Sequence, residues 1–318
     1  MARLTDRIAV VTREGSRGSR VGGAPKARPV AAFVVAAAIA AAAHAASAPS
    51  MADILKNAPP TAWRLIDPAR TLYLDLPTGR VIIELSPSFA PHHVENVVKL
   101  VRAGFFDGLT VVRVQDDYVA QWGDADATKP LGGAEKSLKP EFDRPYGAAE
   151  SFSLLPDRDV YAPRVGFSDG FPAARDPATR RSWLTHCYGM VGVGRDVGAD
   201  SGSGMELYAV IGHAPRHLDR NVTLVGRVVR GIEVLSSLPR GTGDLGFYKT
   251  VAEHVSITRV RLAADLPLPD QIRLEALRTD SSTFAALLQN RRFRRDEWYK
   301  TAAGRIDLCN MPLPVRDK

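Results

Sequence analysis

The chain has 318 residues, of which 45% are hydrophobic and 24% charged, enough apolar material for one large domain or two small ones and too much for a chain disordered along most of its length. Its formal net charge of +7 is uneven: residues 1–48 hold seven Lys or Arg and two acids, which leaves 35 basic against 33 acidic residues in the remainder. That near-neutral remainder gives no reason to expect nucleic acid or an acidic membrane surface as a partner.

Residues 1–48 read as an export leader. A basic stretch ends at Arg28, Val30 to Ala43 is apolar and uncharged, and small-residue sites follow at Ala43-His44-Ala45 and Ala46-Ser47-Ala48. The apolar run is short of the roughly 20 residues of a comfortable membrane span. The expected location is the periplasm; a membrane anchor is the alternative if the leader is not removed. No later segment is apolar enough to span a bilayer. Cys187 and Cys309 could pair in an oxidising compartment, but the simpler expectation is a buried Cys187 and an unremarkable, unpaired Cys309.

Residues 49–70 form a lead-in with one helical turn near Asp53-Ile54-Leu55. Leu72–Leu76 and Val81–Leu85 are β-prone runs separated by Pro77-Thr78-Gly79-Arg80, a hairpin pattern. Pro91 opens a helix whose apolar stripe is Val94, Val97, Val98 and Val101, and Gly104 closes it. Strands are expected at Leu109–Val114 and Tyr118–Gln121. The stretch from Asp124 to Arg181 reads as a long insert of loops, about residues 125–185, with Phe152–Leu155 as one candidate strand. Further strands are expected at Tyr188–Val193, Glu206–Ile211, Val222–Val229 and Val255–Leu262, with a short helix over Gly231–Leu238. Residues 263–318 read as a helical C-terminal extension, with N-cap residues at Asp280–Thr283 followed by Phe284, Leu287 and Leu288. Runs of strands with two interspersed helices argue against an alternating βαβ fold and for a mainly β, closed antiparallel barrel capped by helices.

Two segments carry a resemblance. "GRVIIELSPSFAPHHVENVVKLVRAGFFDGLTVVRV" and "GMELYAVIGHAPRHLDRNVTLVGRVVRGIEVLSSL" are similar, in order and spacing, to the cyclophilin-type peptidyl-prolyl cis-trans isomerases. The resemblance spans residues 71–262 and implies an eight-stranded closed barrel capped by two helices. It implies isomerisation of X-Pro bonds in exported or unfolded polypeptides, with no metal or cofactor, because rotation about an amide breaks no bond. The oligomeric state stays open. Arg113 in "VVRV" matches the family's catalytic arginine, and Gln121 the glutamine that steadies it. Tyr118, Val119, Tyr208 and Leu218 match walls of the proline pocket. Departures fall at Glu206, where glutamine is usual, at Val191-Gly192 for an Ala-Asn pair, at His217, at Val222 and at Trp122. Without the resemblance, Arg113 is simply an exposed strand arginine, and the apolar positions are core.

The departures leave a second reading open: a proline-binding chaperone or scaffold that has lost turnover, favoured if Glu206 ties up Arg113. Other signals are weaker. His92-His93 near Glu95 point to different sides of a helix and make a poor metal site. Gly192-Val193-Gly194 lacks dinucleotide-loop spacing. His186, His213 and His217 lack a nucleophile elbow. Arg291, Arg292, Arg294 and Arg295 around Phe293 and near Trp298 read as a solvated helix face.

Overall fold

The computed structural model describes residues 49–124, 126–294 and 298–318; the expected leader over 1–48, and Arg295, lie outside the described residues. Nine strands form one antiparallel sheet: β1 Thr71–Leu76, β2 Gly79–Leu85, β3 Thr110–Val114, β4 Val119–Gly123, β5 Met190–Val193, β6 Glu206–Val210, β7 Leu224–Arg230, β8 Val255–Ser256 and β9 Arg259–Leu262. Their order is β8-β3-β4-β6-β5-β7-β2-β1-β9. The sheet curls around one core but stays open, since β8 and β9 do not pair with each other.

This corrects the expected closed eight-stranded barrel, and the reason is local. The run read as one strand over Val255–Leu262 breaks at Ile257-Thr258. Its first part pairs with β3 and its second with β1. Between them the Ile257 N–H donates to Leu109 C=O at 2.7 Å and the Thr258 N–H to Asp75 C=O at 2.8 Å. One segment serves both edges in turn and cannot ladder with itself.

The described residues include four α-helices: α1 Met51–Lys56, α2 Pro91–Arg102, α3 Ile232–Ser236 and α4 Ser282–Arg292. In α2, Val94, Val97, Leu100 and Val101 are buried in the sheet's core, as the apolar stripe requires. The polar residues His93 and Asn96 are buried on the same helix. Asn96 donates to the carbonyls of Glu135 and Ser203, both at 2.9 Å, and accepts from Glu135 N–H. His93 bridges the Glu141 carboxylate and the Gly202 carbonyl. These residues tie two long loops to the helix.

The insert is not a set of loops. It contains a five-stranded antiparallel sheet from Arg144–Pro145, Ser153–Leu154, Arg164–Ser168, Phe171–Asp176 and Arg181–Leu184. At its centre, Ser168 pairs with Phe171 across the two-residue turn Asp169-Gly170, with φ of 49° and 81°. An Asp-Gly pair between apolar runs is a hairpin signal. The C-terminal extension is not purely helical either. Leu274–Leu277 pairs with Trp63–Leu65 of the lead-in and with Val315–Asp317. A second core gathers Phe167, Phe171 and Trp183 of the insert with Phe284 and Leu287 of α4.

The outer face of β1 and β2 is therefore covered. Leu72, Leu74, Val81 and Ile83 face the inner core, while Tyr73 and Ile82 pack on Leu274 and Ala276 outside. Strands buried on both faces read as continuous apolar runs rather than alternating ones. Cys187 and Cys309 form a disulfide, 122 residues apart in sequence, which overturns the unpaired expectation. It fixes the extension to the segment entering β5.

Closing a loop of that length contributes up to about 4–5 kcal/mol on chain-entropy grounds. Reductant, or the double change Cys187→Ser with Cys309→Ser, is expected to lower the thermal midpoint by several degrees. A calorimetric scan with and without reductant checks this; identical midpoints would mean the bond contributes nothing.

Candidate active site

Strand alternation builds the site. In β4, Ala120 and Trp122 point into the core, which leaves Val119 and Gln121 on the outer face. In β6, Leu207 and Ala209 point inward, which leaves Glu206, Tyr208 and Val210 outward. The ladder sets Tyr208 opposite Gln121 and Val210 opposite Val119. Val119, Tyr208 and Val210, with Tyr118 and Val222, form a small apolar cluster separate from the core.

Arg113 reaches this face through a bulge. Val111 pairs with Trp122, but the next pair along is Arg113 with Gln121, so Val112 is an extra residue. A bulge re-aims the side chains that follow it. The loop after α3 adds onto the same place: Tyr248 N–H donates to Val112 C=O at 3.1 Å, and Phe247 bridges to Arg113.

The guanidinium is held on three sides. Its Nε donates to Leu245 C=O at 2.7 Å, Nη1 to Gln121 Oε1 at 3.3 Å, and Nη2 to Gln115 Oε1. The rings of Tyr118 and Phe247 lie 5.5 and 5.1 Å from it. Those bonds use three of an arginine's five N–H donors, so two remain for a ligand. Burial pulls its pKa below the ordinary value, an effect that the Glu206 carboxylate partly offsets.

Glu206 does not pair with Arg113. Its carboxylate accepts from Gln121 Nε2, giving a chain from Arg113 through Gln121 to Glu206. Burial raises the Glu206 pKa, and Asp196 and Asp124 push it the same way against the Gln121 hydrogen bond. The condition that favoured binding without turnover, an arginine locked by Glu206, is not met by this geometry.

An open groove of about 1040 Å³ runs over these residues. Arg113, Tyr118, Val119, Gln121, Glu206, Tyr208 and Leu218 all line it. Three expected site residues do not. Val191 is fully buried in the core, because alternation along β5 turns it inward. Gly192 lies beneath Tyr208, where a Cβ would sit 2.4 Å from the phenol oxygen; it makes room for the ring rather than touching the groove. His217 is exposed and outside the lining, although its neighbour Leu218 is part of it.

Sequence reasoning missed Phe247, Gln115 and the carbonyl of Leu245. The Gly241–Gly246 stretch ends in the aromatic pair Phe247-Tyr248, the one signal that could have drawn attention to it. His186, His213 and His217 do not assemble a triad; His186 is buried against Tyr208 and Asp219. Arg292 pairs with Asp157 at 2.8 Å, so the arginine-rich end of α4 is partly committed within the protein.

A family profile described as "Cyclophilin type peptidyl-prolyl cis-trans isomerase/CLD" matches residues 71–262, more than half the chain. The chain belongs to the cyclophilin-type peptidyl-prolyl cis-trans isomerases. A "Probable peptidyl-prolyl cis-trans isomerase" of Brucella suis is 28% identical over 176 residues, 55% of this chain and 74% of that protein. A "Putative peptidyl-prolyl cis-trans isomerase" of Staphylococcus aureus is 42% identical over 55 residues, covering 17% and 27%. Among solved structures, the cyclophilin AquaCyp293 from Hirschia baltica superposes with a TM-score of 0.66 at 26% identity, covering 84% of this chain and 97% of its own. That coverage is a larger share than residues 71–262 make up, so the likeness to AquaCyp293 extends beyond the minimal cyclophilin domain.

The raised Glu206 pKa has a defined consequence for this cyclophilin. Between the unfolded and folded pKa values the native state binds more protons than the unfolded chain, so stability falls as pH rises through that window. Glu206→Gln keeps an acceptor for Gln121 and removes the penalty. It is expected to raise the thermal midpoint at pH 7 by about 2–4 °C, roughly what ~1 kcal/mol gives in a domain of this order. Melts from pH 4 to 8 should show the variant's advantage shrinking on the acid side. An advantage independent of pH would contradict this account of Glu206.

Proposed function

We propose that the groove takes X-Pro segments of exported or unfolded polypeptides, with the proline ring against Val119, Tyr208, Leu218 and Val222 and the prolyl amide beside Arg113. A trans peptide resists rotation with a barrier of about 18–20 kcal/mol because the nitrogen lone pair is conjugated with the carbonyl. A cation with free N–H donors lowers that barrier by stabilising the lone pair as it leaves conjugation and the nitrogen becomes pyramidal. An apolar pocket holds the ring still while the chain on the other side of the bond turns. A gain of ~10⁵-fold asks for about 7 kcal/mol of selective stabilisation, within reach of a preorganised charge in a partly dry groove.

The observation that carries this reading is the partition of the Arg113 donors: three fixed within the protein, two left at the edge of the apolar cluster. Fixing the guanidinium beforehand means that little reorganisation is needed as the amide twists. The disulfide supports the export half of the reading, since such bonds persist in oxidising compartments. Among the described residues no helix is long and apolar enough to cross a membrane.

In a coupled assay on a short X-Pro peptide, Arg113→Ala is expected to lower kcat/KM by about 10²–10³, the loss typical when one electrostatic donor is removed from a transition state. Arg113→Lys should lie between the two, keeping the charge but losing the fork. Rates for Arg113→Ala equal to the wild type would remove Arg113 from the mechanism.

A further inference from the structure

Two walls of the groove, Tyr208 and Leu218, hang on one buried polar chain that ends in the insert. The Tyr208 hydroxyl lies 2.9 Å from His186 Nε2. His186 Nδ1 lies 3.0 Å from an Asp219 oxygen, which also accepts the His186 backbone N–H at 2.8 Å. The other Asp219 oxygen accepts from Arg216 Nε at 2.6 Å. Arg216 then grips Asp159 with both terminal nitrogens, at 2.9 and 3.1 Å. The side chains of Asp159, Arg216 and Asp219 are 4, 4 and 6% exposed, and that of His186 is fully buried.

Protonation along the chain follows from its ends. Asp219 is a carboxylate facing Arg216, so His186 carries its proton on Nδ1 and donates there. Nε2 is then an acceptor, and the Tyr208 hydroxyl donates to it. Burial lowers the His186 pKa, with the nearby Arg216 and His217 acting in the same direction against Asp219. Each group has a single role, and the Tyr208 ring is fixed by its far end.

We propose that Asp159, through Arg216, Asp219 and His186, is the positioning residue for the proline pocket, so that the insert sets the affinity of the groove for X-Pro segments. Asp159 acts on both walls. Arg216 is the first residue of the turn Arg216–Leu218 that presents Leu218. Through Asp219 and His186 the same arginine fixes Tyr208. Asp159 itself does not line the groove, and the hydrogen bonds that hold Arg113 come from Leu245, Gln121 and Gln115. Its loss should therefore loosen ring binding without touching the group that acts on the amide.

This inference rests on the isomerase reading of the groove, and the test separates the two. Wild type, Asp159→Asn and Arg216→Lys, all with the disulfide intact, are compared by steady-state isomerisation of a short X-Pro peptide and by titration of the same peptide for Kd. Asp159→Asn keeps the side-chain volume and one acceptor oxygen; Arg216→Lys keeps the buried charge and decides by the same criterion if Asp159→Asn does not fold. The expected result is a KM and Kd raised about three- to tenfold, with kcat within twofold of wild type. Turnover with unmoved KM in a folded variant overturns the positioning role and leaves the isomerase reading intact. No wild-type turnover, but the expected rise in Kd, overturns the isomerase reading and leaves the positioning role. A wild type that neither turns over nor binds the peptide overturns both.

Discussion

One extra residue in β3 is the constraint on which the site depends. Alternation along β4 and β6 delivers Gln121, Val119, Glu206 and Tyr208 to the outer face with no special device. Arg113 follows Val111, a core residue, by two positions, so in a regular strand it would point into the core as well. The bulge at Val112 reverses that parity and brings the guanidinium outward, opposite Gln121. It also exposes the Val112 carbonyl to Tyr248, which seats the loop whose Leu245 carbonyl holds Arg113. Placing the cation and securing it are thus consequences of the same irregularity.

Another part of the same outer face, over β2 and β7, is organised by a second constraint, a carboxylate with no access to water. Glu84 on β2 is fully buried between Arg64 of the lead-in at 2.6 Å and Arg227 of β7 at 3.3 Å. Arg64 also donates to the Asp169 carbonyl at the insert's central turn. Lead-in, insert and main sheet therefore meet around one charge. Such a cluster adds little net stability over an apolar replacement, but losing one partner costs about 3–5 kcal/mol. It joins the lead-in and the insert's central turn to the main sheet, alongside the second core and the disulfide.

How much of this was legible in the sequence follows from how local each feature is. The hairpin, the stripe of α2 and the outward set on β4 and β6 are matters of period, and they could be read directly. The resemblance located Arg113, Gln121, Tyr118, Val119, Tyr208 and Leu218, all of which line the groove. Val191 and Gly192 were misplaced because matching by order does not say which face of β5 a residue takes. The insert's sheet was missed because its strands are two to six residues long, although Asp169-Gly170 was a readable turn. The disulfide and the Asp159–Arg216 pair join residues 122 and 57 positions apart. Nothing local announces such contacts.

The loop carrying Leu245 illustrates how the site spends conformational energy. Leu245 has φ 54° and ψ 20°, a left-handed conformation that disfavours a branched L side chain by about 1–2 kcal/mol. Gly246 follows at φ 78°, where a Cβ would lie 2.5 Å from Gln115 Cα. Two consecutive left-handed residues bring the loop close enough for the Leu245 carbonyl to meet Arg113 Nε while Gln115 takes Nη2. A strained residue persists only where its surroundings over-determine it, and here the Gly241 N–H to Val114 and Tyr248 N–H to Val112 bonds pin both ends. The leucine side chain is itself 68% exposed and packs little. What holds Leu245 in place is its backbone, and what the backbone gains is a fixed acceptor for the Arg113 guanidinium.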